Sequence, residues 1–332
     1  MRVAVIGAGA FGTSLSWVLG GRGHDVWLWA READVVRDVN SGHENRRFLA
    51  GTTLPPTVRA TSDLEEAFRG AELVVSATPS HAARQVFTQA NGFIPVGVPI
   101  VAVSKGIEEE TLLVPTEVLE SVLPERYHPY LAVLSGPSFA REIVKGTPTV
   151  VTAAANWSRL AKKVQDAFTA PTFRCYTTSD VIGVQLGAAL KNVMAIGSGA
   201  IDGLGYGHNA RAALITRGLA EITRIAVARG SNPLTLAGLA GLGDLVLTCT
   251  GDLSRNRTLG LELGSGRKLE EALSHLSGIA EGVKTARSAR DLARQLGVEA
   301  PITEQVYLVL YEGKDPRQAV AELMMREPKP EY

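Results

Sequence analysis

The sequence has few of the residues that build disulfide frameworks and metal sites. Its two cysteines, Cys175 and Cys249, lie far apart and form no CxxC or metal-ligand spacing. The six histidines occur singly, at positions 24, 43, 81, 128, 208 and 275, and no two have the spacing of ligands on a helix. We therefore expect no bound metal, and the low cysteine content is typical of a protein in a reducing cytosol.

The chain also lacks an excess of charge of either sign, and we expect no targeting segment. Lysine plus arginine number 34 and aspartate plus glutamate number 34, so no global field attracts nucleic acid or an anionic membrane. Any anion site must therefore be built from local basic groups. The first ten residues, MRVAVIGAGA, contain an apolar segment too short for a signal peptide, and this predicts a cytoplasmic protein.

What the sequence does contain indicates two domains. Its 332 residues are 45% hydrophobic and 20% charged, as in soluble globular proteins, and no repeat or low-complexity tract interrupts them. Short strand-like runs alternate with helical stretches up to about residue 180, which predicts an α/β domain with a doubly wound, mostly parallel sheet. Beyond that point only helical periodicity remains. We predict a dinucleotide-binding domain over residues 1–180 and an all-helical substrate-binding and catalytic domain over residues 181–332.

The amino terminus carries a dinucleotide fingerprint. The β-branched run at residues 2–6 leads into Gly7-Ala8-Gly9-Ala10-Phe11-Gly12 and then into a helical stretch at residues 13–19. In this strand, turn and helix setting, Gly7, Gly9 and Gly12 serve a tight turn, close approach of the pyrophosphate and close packing of helix on strand. The helix amino terminus adds free N–H groups and the positive end of its dipole. The alternative is a glycine-rich turn that serves packing alone.

The residue after the second predicted strand, residues 25–29, bears on cofactor choice. An NAD-specific site places a carboxylate there, whereas this chain reads Ala30-Arg31-Glu32. Because a guanidinium grips an anion well, Arg31 suits a ribose 2′-phosphate and favours NADP over NAD. If the turn is one residue longer, Glu32 instead holds the ribose hydroxyls and Arg31 is a surface charge.

Ligands of such sheets bind beyond the carboxyl ends of the strands. Three short polar segments follow predicted strands, namely Thr78-Pro79-Ser80, Ser104-Lys105-Gly106 and Ser135-Gly136-Pro137-Ser138. Lys105 is the one cation among them, and we expect it to meet a phosphate or a reacting oxygen. A surface lysine after a strand is the alternative.

The helical half opens with an unusual lysine. Between residues 181 and 201 the side chains are almost all apolar or small, and Lys191 is the one ionisable group before residue 202. On a helix, Gly187, Ala188 and Ala195 lie beside it. Desolvation lowers the pKa of a lysine towards that of a proton donor or acceptor at neutral pH. The alternatives are a lysine that snorkels to water and a membrane span, against which the lysine, an adjacent asparagine and several glycines argue.

Two further polar groups belong to this half. Asp244 lies between glycine and apolar residues in LAGLGDLVLTCT, and a buried carboxylate needs a cation, for which Lys191 is the natural partner. Ser254-Arg255-Asn256-Arg257 combines a hydroxyl, two guanidinium groups and an amide at a predicted helix start, which is suited to a phosphate. An ordinary helix cap with exposed arginines is the alternative.

Seven segments together resemble a known family. They are GAGAFGT, SKGIE, LSGPSFAREI, LGAALKNVMAIGSGAIDGLGYGHNARAALITRGLAE, LAGLGDLVLTCT, SRNR and EGVKT. They are similar to those of bacterial NAD(P)-dependent glycerol-3-phosphate dehydrogenases, and the match runs in order from residue 1 to beyond residue 310. The resemblance implies a 6-phosphogluconate-dehydrogenase-like fold. It also implies interconversion of dihydroxyacetone phosphate and sn-glycerol 3-phosphate with NADP or NAD, the step that supplies the glycerol backbone of phospholipids.

The resemblance also implies a role for each matching residue. Lys191 would be the proton donor or acceptor, with Asp244 its neighbour in the catalytic site. The residues that would contact the substrate are Lys105, Gly136, Ser138, Lys191, Asp244, Ser254, Arg255 and Asn256. Those that would line the dinucleotide, beside Gly7, Gly9 and Gly12, are Ala10, Phe11, Arg31, Lys105, Ala140, Arg255, Ile279 and Glu281. The chain departs from the family pattern at Phe11, Phe48, Ala50 and Gln185.

Two other functions stay open from the sequence. A β-hydroxyacid dehydrogenase of the 6-phosphogluconate type shares a Rossmann half, a helical half and a lysine-asparagine pair, and it would accept carboxylate substrates. A sensor that binds NADPH without chemistry would not need Lys191, Asp244 and the polar cluster at residues 254–257. A homodimer formed through the apolar helical half also stays open.

Overall fold

A computed structural model describes residues 1–276, 278–328 and 330–331. The chain divides into two compact units. The first comprises Met1–Glu108 and Leu113–Gln185, and the second comprises Glu109–Leu112 and the chain from Leu186 onward. The functional division at residue 180 stays a prediction, because compactness does not tell what each part binds.

An eight-stranded sheet forms the first unit. The strands are β1 (Arg2–Ile6), β2 (Asp25–Trp29), β3 (Val58–Thr61), β4 (Leu73–Ser76), β5 (Ile100–Ala102), β6 (Leu131–Ser135), β7 (Thr149–Ala155) and β8 (Phe173–Thr178). Their order is β3-β2-β1-β4-β5-β6-β7-β8, and all neighbours are parallel except β6 and β7. The predicted doubly wound, mostly parallel sheet is confirmed. The strand order reverses between β1 and β4, where such folds bind their ligands.

The central strands are apolar because both of their faces are covered. In β1, Val3 to Ile6 are all 0% exposed, and every residue of β4 is buried. The helices of this unit are α1 (Ala10–Gly21), α2 (Ala33–Gly42), α3 (Arg46–Leu49), α4 (Leu64–Phe68), α5 (Ser80–Ala90), α6 (Pro115–Val122), α7 (Ala140–Ile143) and α8 (Ser158–Phe168), with a 3-10 helix at Glu125–Tyr130.

The described residues of the second unit form helices and no strand, as predicted. The helices are α9 (Val181–Gly203, whose first residues belong to the first unit), α10 (Gly207–Ala228), α11 (Pro233–Leu236), α12 (Asp244–Thr250), α13 (Arg255–Gly264), α14 (Leu269–Ser274), α15 (Glu281–Gln295), α16 (Pro301–Tyr311) and α17 (Pro316–Met324), with a π-helical turn at Leu239–Gly243. Two segments, Val181–Gly203 and Pro233–Thr250, are long and apolar enough to cross a membrane. The most apolar window of α9 is 89% buried within the protein, which identifies α9 as a core helix.

A buried carboxylate joins two of these helices. Glu221 of α10 is 0% exposed and accepts hydrogen bonds from the backbone N–H of Ile302 (2.9 Å) and Thr303 (2.8 Å) and from the Thr303 hydroxyl (2.6 Å). It therefore caps α16, whose own N-cap residue, Ala300, has no side-chain acceptor. Burial raises the pKa of Glu221 above its ordinary value of 4.5, against the opposing effect of these donors.

Replacing Glu221 by glutamine is expected to lower the free energy of unfolding by about 1–3 kcal/mol, because an amide N–H₂ would face a backbone donor. The raised pKa means that the folded state keeps this proton at a pH where the unfolded chain loses it. Its contribution to stability is complete below pH 4.5 and is lost as the pH rises through the folded-state pKa. Urea unfolding at several pH values should show that the difference in free energy of unfolding between the unmodified protein and Glu221→Gln becomes smaller as the pH rises. Glu270→Gln, on the exposed face of α14, is the control and should change neither the free energy of unfolding nor its dependence on pH. A constant advantage would contradict the assignment.

Candidate functional site

The glycine-rich turn after β1 is shaped for close approach. Gly7 has φ +122°, and a Cβ there would lie 2.6 Å from the Ala77 carbonyl carbon, so only glycine fits. A Cβ on Gly12 would lie 2.0 Å from the Gly7 oxygen, which lets α1 pack on the turn. A Cβ on Gly9, in contrast, would meet nothing within 4 Å. The turn thus leaves open space at Gly9. The start of α1 next to it has no side-chain cap and no acidic residue in its first turn. An open, uncapped helix amino terminus suits a pyrophosphate.

Arg31 lies two residues beyond β2. Its side chain is 84% exposed, and Nη2 lies 3.1 Å from Oε1 of Glu32. An exposed guanidinium is accessible to a phosphate group, and the carboxylate beside it, whose side chain is 20% exposed, can still accept from ribose hydroxyls. Both interpretations of this turn are therefore compatible with the geometry.

Lys105 brings together several residues that follow different strands. Its Nζ donates to the Gly136 carbonyl at 3.3 Å and lies 5.6 Å from the centre of the Phe11 ring. The Ser138 hydroxyl donates to the same carbonyl at 2.7 Å. Gly136 itself has φ +148°, and its Cβ would lie 2.9 Å from Val151 Cα. Lys105, Phe11, Gly136 and Ser138 thus form one cluster, with Ala140 at the start of α7 shortly beyond it.

Two hydroxyls of the polar segments predicted after the strands are buried. Thr78 and Ser135 are 3% and 2% exposed, and neither hydroxyl has a hydrogen-bond partner among the described residues. Gln185, one of the four departures from the family pattern, has a structural role. Its side chain accepts a hydrogen bond from Thr116 N–H at 2.8 Å and donates one to the Thr116 hydroxyl at 2.9 Å.

Lys191 and Asp244 form a buried ion pair in the second unit. Lys191 is 5% exposed and Asp244 is 1% exposed, and the Lys191 ammonium donates to Asp244 Oδ1. The ammonium also donates to the Thr248 hydroxyl at 2.8 Å, and that hydroxyl donates to the Asp244 backbone carbonyl at 2.6 Å. The lysine therefore does not snorkel to water. Thr248 was missed from the sequence, although its spacing of four residues from Asp244 on α12 puts both on one helix face.

Glycines explain how α12 reaches Lys191. A Cβ on Gly187, one turn before Lys191 on α9, would lie 2.7 Å from the Ala240 carbonyl oxygen in the π-helical turn. A Cβ on Gly241 would lie 2.1 Å from the Leu236 oxygen. Because both positions lack a side chain, the turn packs tightly against α9 and the first residue of α12, Asp244, faces the lysine.

The polar cluster at residues 254–257 starts α13. Ser254 is the N-cap, and its Oγ accepts from Arg257 N–H at 3.2 Å. Oδ1 of Asn256 accepts from Gly282 N–H at 3.0 Å, which ties the cluster to the start of α15. The Arg257 guanidinium is bound by Asp202, with Nη2 to Oδ2 at 2.8 Å. Of the two arginines, Arg257 thus has a structural partner, whereas Arg255 is exposed.

Close helix packing positions this cluster. A Cβ on Gly199 of α9 would lie 1.9 Å from the Arg257 carbonyl oxygen, and a Cβ on Gly260 of α13 would lie 1.9 Å from the Ile196 oxygen. The backbones of α9 and α13 are therefore in contact, and the helix that carries Lys191 also supports the start of α13. This contact requires glycine on both helices.

The remaining predicted residues lie near Arg255. A Cβ on Gly278 would lie 2.8 Å from Arg255 Nη1. Ile279, which follows, is 54% exposed, and Glu281 is the first residue of α15. The structure thus groups Arg255, Ile279 and Glu281 in one region of the second unit, while Gly7, Gly9, Ala10, Phe11, Gly12, Arg31, Lys105, Gly136, Ser138 and Ala140 belong to the first unit.

Family models match both halves of the chain. Residues 2–161 match the amino-terminal domain, and residues 180–321 the carboxyl-terminal domain, of NAD-dependent glycerol-3-phosphate dehydrogenases. The chain is 60% identical to glycerol-3-phosphate dehydrogenase [NAD(P)+] of Myxococcus xanthus over 331 residues, with 100% of this chain and 99% of that protein covered. The corresponding protein of Anaeromyxobacter dehalogenans is 58% identical, with 100% of both chains covered.

Solved structures agree. The crystal structure of glycerol-3-phosphate dehydrogenase from Coxiella burnetii superposes with a TM-score of 0.93 at 39% identity, covering 98% of this chain and 99% of that one. A ketopantoate reductase from Ralstonia eutropha shares the fold at a TM-score of 0.62 and 16% identity, with 96% and 100% covered. Two domain matches and full-length relatives lead to one conclusion: the chain belongs to the NAD-dependent glycerol-3-phosphate dehydrogenase family.

Proposed function

We propose that the protein is an NAD(P)-dependent sn-glycerol-3-phosphate dehydrogenase that reduces dihydroxyacetone phosphate to sn-glycerol 3-phosphate. The observation that carries this proposal is the buried cluster of Lys191, Asp244 and Thr248 in a chain of this family. A buried ammonium held by one carboxylate and one hydroxyl can deliver a proton to an alkoxide. Neither a packing role nor simple dinucleotide binding requires it.

The first unit is proposed to hold the dinucleotide. Gly7, Gly9, Ala10, Phe11, Gly12 and the start of α1 would receive its pyrophosphate half, with Arg31 at the adenosine ribose and Lys105 and Ala140 as further contacts. Arg255, Ile279 and Glu281 of the second unit are also proposed as contacts of the dinucleotide. When bound, the reduced nicotinamide supplies a hydride for the C2 carbonyl. The open space at Gly9 supports this assignment because a ligand can approach the backbone there.

Lys191 is proposed as the proton donor in reduction. Its ammonium would transfer a proton to the oxygen that becomes the C2 hydroxyl, which balances the hydride added to carbon. In the oxidative direction, neutral Lys191 would accept that proton. Asp244 favours the charged form and opposes desolvation, and Thr248 fixes the direction of the ammonium.

The substrate phosphate is proposed to bind at the start of α13. The Arg255 guanidinium is exposed there, and the Ser254 hydroxyl hydrogen and the Asn256 amide hydrogens donate to no described residue. These donors and the helix amino terminus suit a dianion. Lys105, Gly136 and Ser138 are proposed as further substrate contacts. Binding energy from the phosphate would orient C2 for reaction.

Arg31→Ala is expected to lower kcat/KM for NADPH by about 10-fold, because a charge-assisted contact to the 2′-phosphate is lost. The value for NADH, which lacks that phosphate, should stay within about 2-fold. Parallel initial rates with the two cofactors measure both values. Arg37→Ala, at another exposed arginine of the same unit, is the matched control and should change neither. Equal losses with both cofactors would contradict the preference for NADP.

The setting of the reaction is part of the proposal. We propose a cytoplasmic enzyme that supplies the glycerol backbone of phospholipids. Its buried thiols are compatible with a reducing compartment, since burial raises the pKa of both Cys175 and Cys249 to about 12. A homodimer is also proposed, supported by the exposed apolar side chains of Leu234, Val246 and Leu253 on the helical unit.

The reverse reaction tests the proposed substrate. With NADP⁺, sn-glycerol 3-phosphate should generate reduced nicotinamide, whereas glycerol and 6-phosphogluconate should not. Oxidation of 6-phosphogluconate in place of sn-glycerol 3-phosphate would indicate the β-hydroxyacid type of dehydrogenase. Tight NADPH binding without turnover of any substrate would indicate a sensor.

A further inference from the structure

The loop between α2 and α3 has no part in the reaction described so far. With α3 and the two residues after it, this loop forms the segment HENRRFLAG, residues 43–51, which departs from the family pattern at Phe48 and Ala50. Yet its Asn45 is 0% exposed, although asparagine is usually a surface residue. A fully buried amide implies that its hydrogen bonds have a structural purpose.

Asn45 reaches the glycine-rich turn. Its Nδ2 donates to the Ala8 carbonyl and to the Thr13 hydroxyl, both at 2.8 Å, and Thr13 in turn donates to the Ala8 carbonyl at 3.1 Å. Its Oδ1 accepts from Phe48 N–H at 3.1 Å. Since a carbonyl can only accept and a backbone N–H can only donate, these partners fix the orientation of the amide. Two donors therefore hold one carbonyl of the turn.

Holding that carbonyl also fixes the N–H on the other side of the peptide. In a planar trans peptide, the C=O and the N–H point in opposite directions, and no described peptide is cis. The Ala8 carbonyl points towards Asn45 and Thr13, so the Gly9 N–H points away from them. Gly9 N–H donates to no described residue, and the space at the Gly9 Cβ position is open for 4 Å.

We propose that Asn45 is a positioning residue for the dinucleotide: it orients the Ala8–Gly9 peptide so that the Gly9 N–H donates to the pyrophosphate. This inference rests on the proposed dinucleotide binding. A glycine-rich turn is conformationally permissive, and its N–H would otherwise have to be ordered when the ligand binds. Because Asn45 orders the peptide before the ligand binds, binding does not have to supply the free energy of ordering it, and the affinity for an anion is higher.

The test compares ligands with and without a pyrophosphate. We would measure Kd for NADPH and ADP-ribose, which contain a pyrophosphate, and for adenosine 2′-phosphate, which does not. Asn45→Ala should raise the first two values by about 10-fold and leave the third within about 2-fold. Turnover at saturating NADPH should be unchanged, since the reacting groups are untouched.

Asn40→Ala is the matched control. Asn40 also bonds one backbone segment through both amide atoms, donating to the Ala60 carbonyl and accepting from Ala60 N–H at 2.8 Å each. Its loss should change none of the three affinities. If Asn45→Ala fails to fold, Thr13→Val tests the same proposal, because it removes one donor to the Ala8 carbonyl and keeps the shape of the side chain. It should raise Kd for the two pyrophosphate ligands by about 3-fold.

Each other outcome would overturn the inference. Equal losses for adenosine 2′-phosphate and ADP-ribose would give Asn45 a general folding role. An unchanged Kd for NADPH in both Asn45→Ala and Thr13→Val would show that the turn needs no support. Failure of the unmodified protein to bind NADPH would instead refute the proposed function, and it would be detected before any variant is made.

Discussion

Lys191→Ala is expected to reduce turnover of dihydroxyacetone phosphate by about 100- to 10,000-fold, the usual contribution of a positioned proton donor. The Kd for NADPH should stay within about 2-fold, because Lys191 is not among the residues proposed to contact the dinucleotide. Rapid mixing of the NADPH-loaded protein with substrate, together with a separate NADPH titration, measures the two quantities.

This variant leaves the buried Asp244 carboxylate without its cation, which can cost about 3–5 kcal/mol of stability. A double variant, Lys191→Met with Asp244→Asn, removes both charges and preserves most of the packing volume. It should fold and still be inactive. Lys268→Ala, which removes an exposed lysine of the same unit, is the control and should retain full activity. Substantial turnover by the folded double variant would rule out Lys191 as the proton donor.

Arg255→Ala is the second change with a large expected effect. It should raise KM for dihydroxyacetone phosphate by about 10- to 100-fold, because a guanidinium contact to a phosphate is lost. The fall in kcat should be smaller, since Lys191 is not altered. Initial rates over a wide substrate range separate the two parameters.

The neighbouring arginine provides the control for this experiment. Arg257 lies in the same first turn of α13 as Arg255, but its guanidinium is bound by Asp202. Arg257→Ala should therefore lower the thermal stability more than Arg255→Ala does. An unchanged KM in Arg255→Ala would contradict its assignment to the phosphate.

Local patterns were sufficient to predict most of the fold. The strands could be located because parallel strands covered on both faces, such as β1 and β4, are continuous apolar runs. The glycine-rich turn could be predicted because its three glycines follow a strand and precede a helix. The antiparallel direction of β7 was not predicted, since strand direction within a sheet depends on how the connections run.

The site could be predicted where the chemistry of one residue demands another. Lys191 and Asp244 were paired in advance because a buried charge needs an opposite charge. Thr248 could be placed on the helix face of Asp244 by its spacing, but its bond to Lys191, the burial of Asn45 and the bond between Arg257 and Asp202 could not be foreseen in this way. Each depends on contacts between distant segments, and a threonine or asparagine alone gives no sign that it will be buried.

The measurement that tests the central claim most directly is the initial rate of absorbance loss at the reduced-nicotinamide band with NADPH and dihydroxyacetone phosphate. The account predicts fast oxidation of NADPH that requires the phosphate, so that unphosphorylated dihydroxyacetone reacts far more slowly. Absence of oxidation with dihydroxyacetone phosphate, with either NADPH or NADH and despite tight dinucleotide binding, would contradict it.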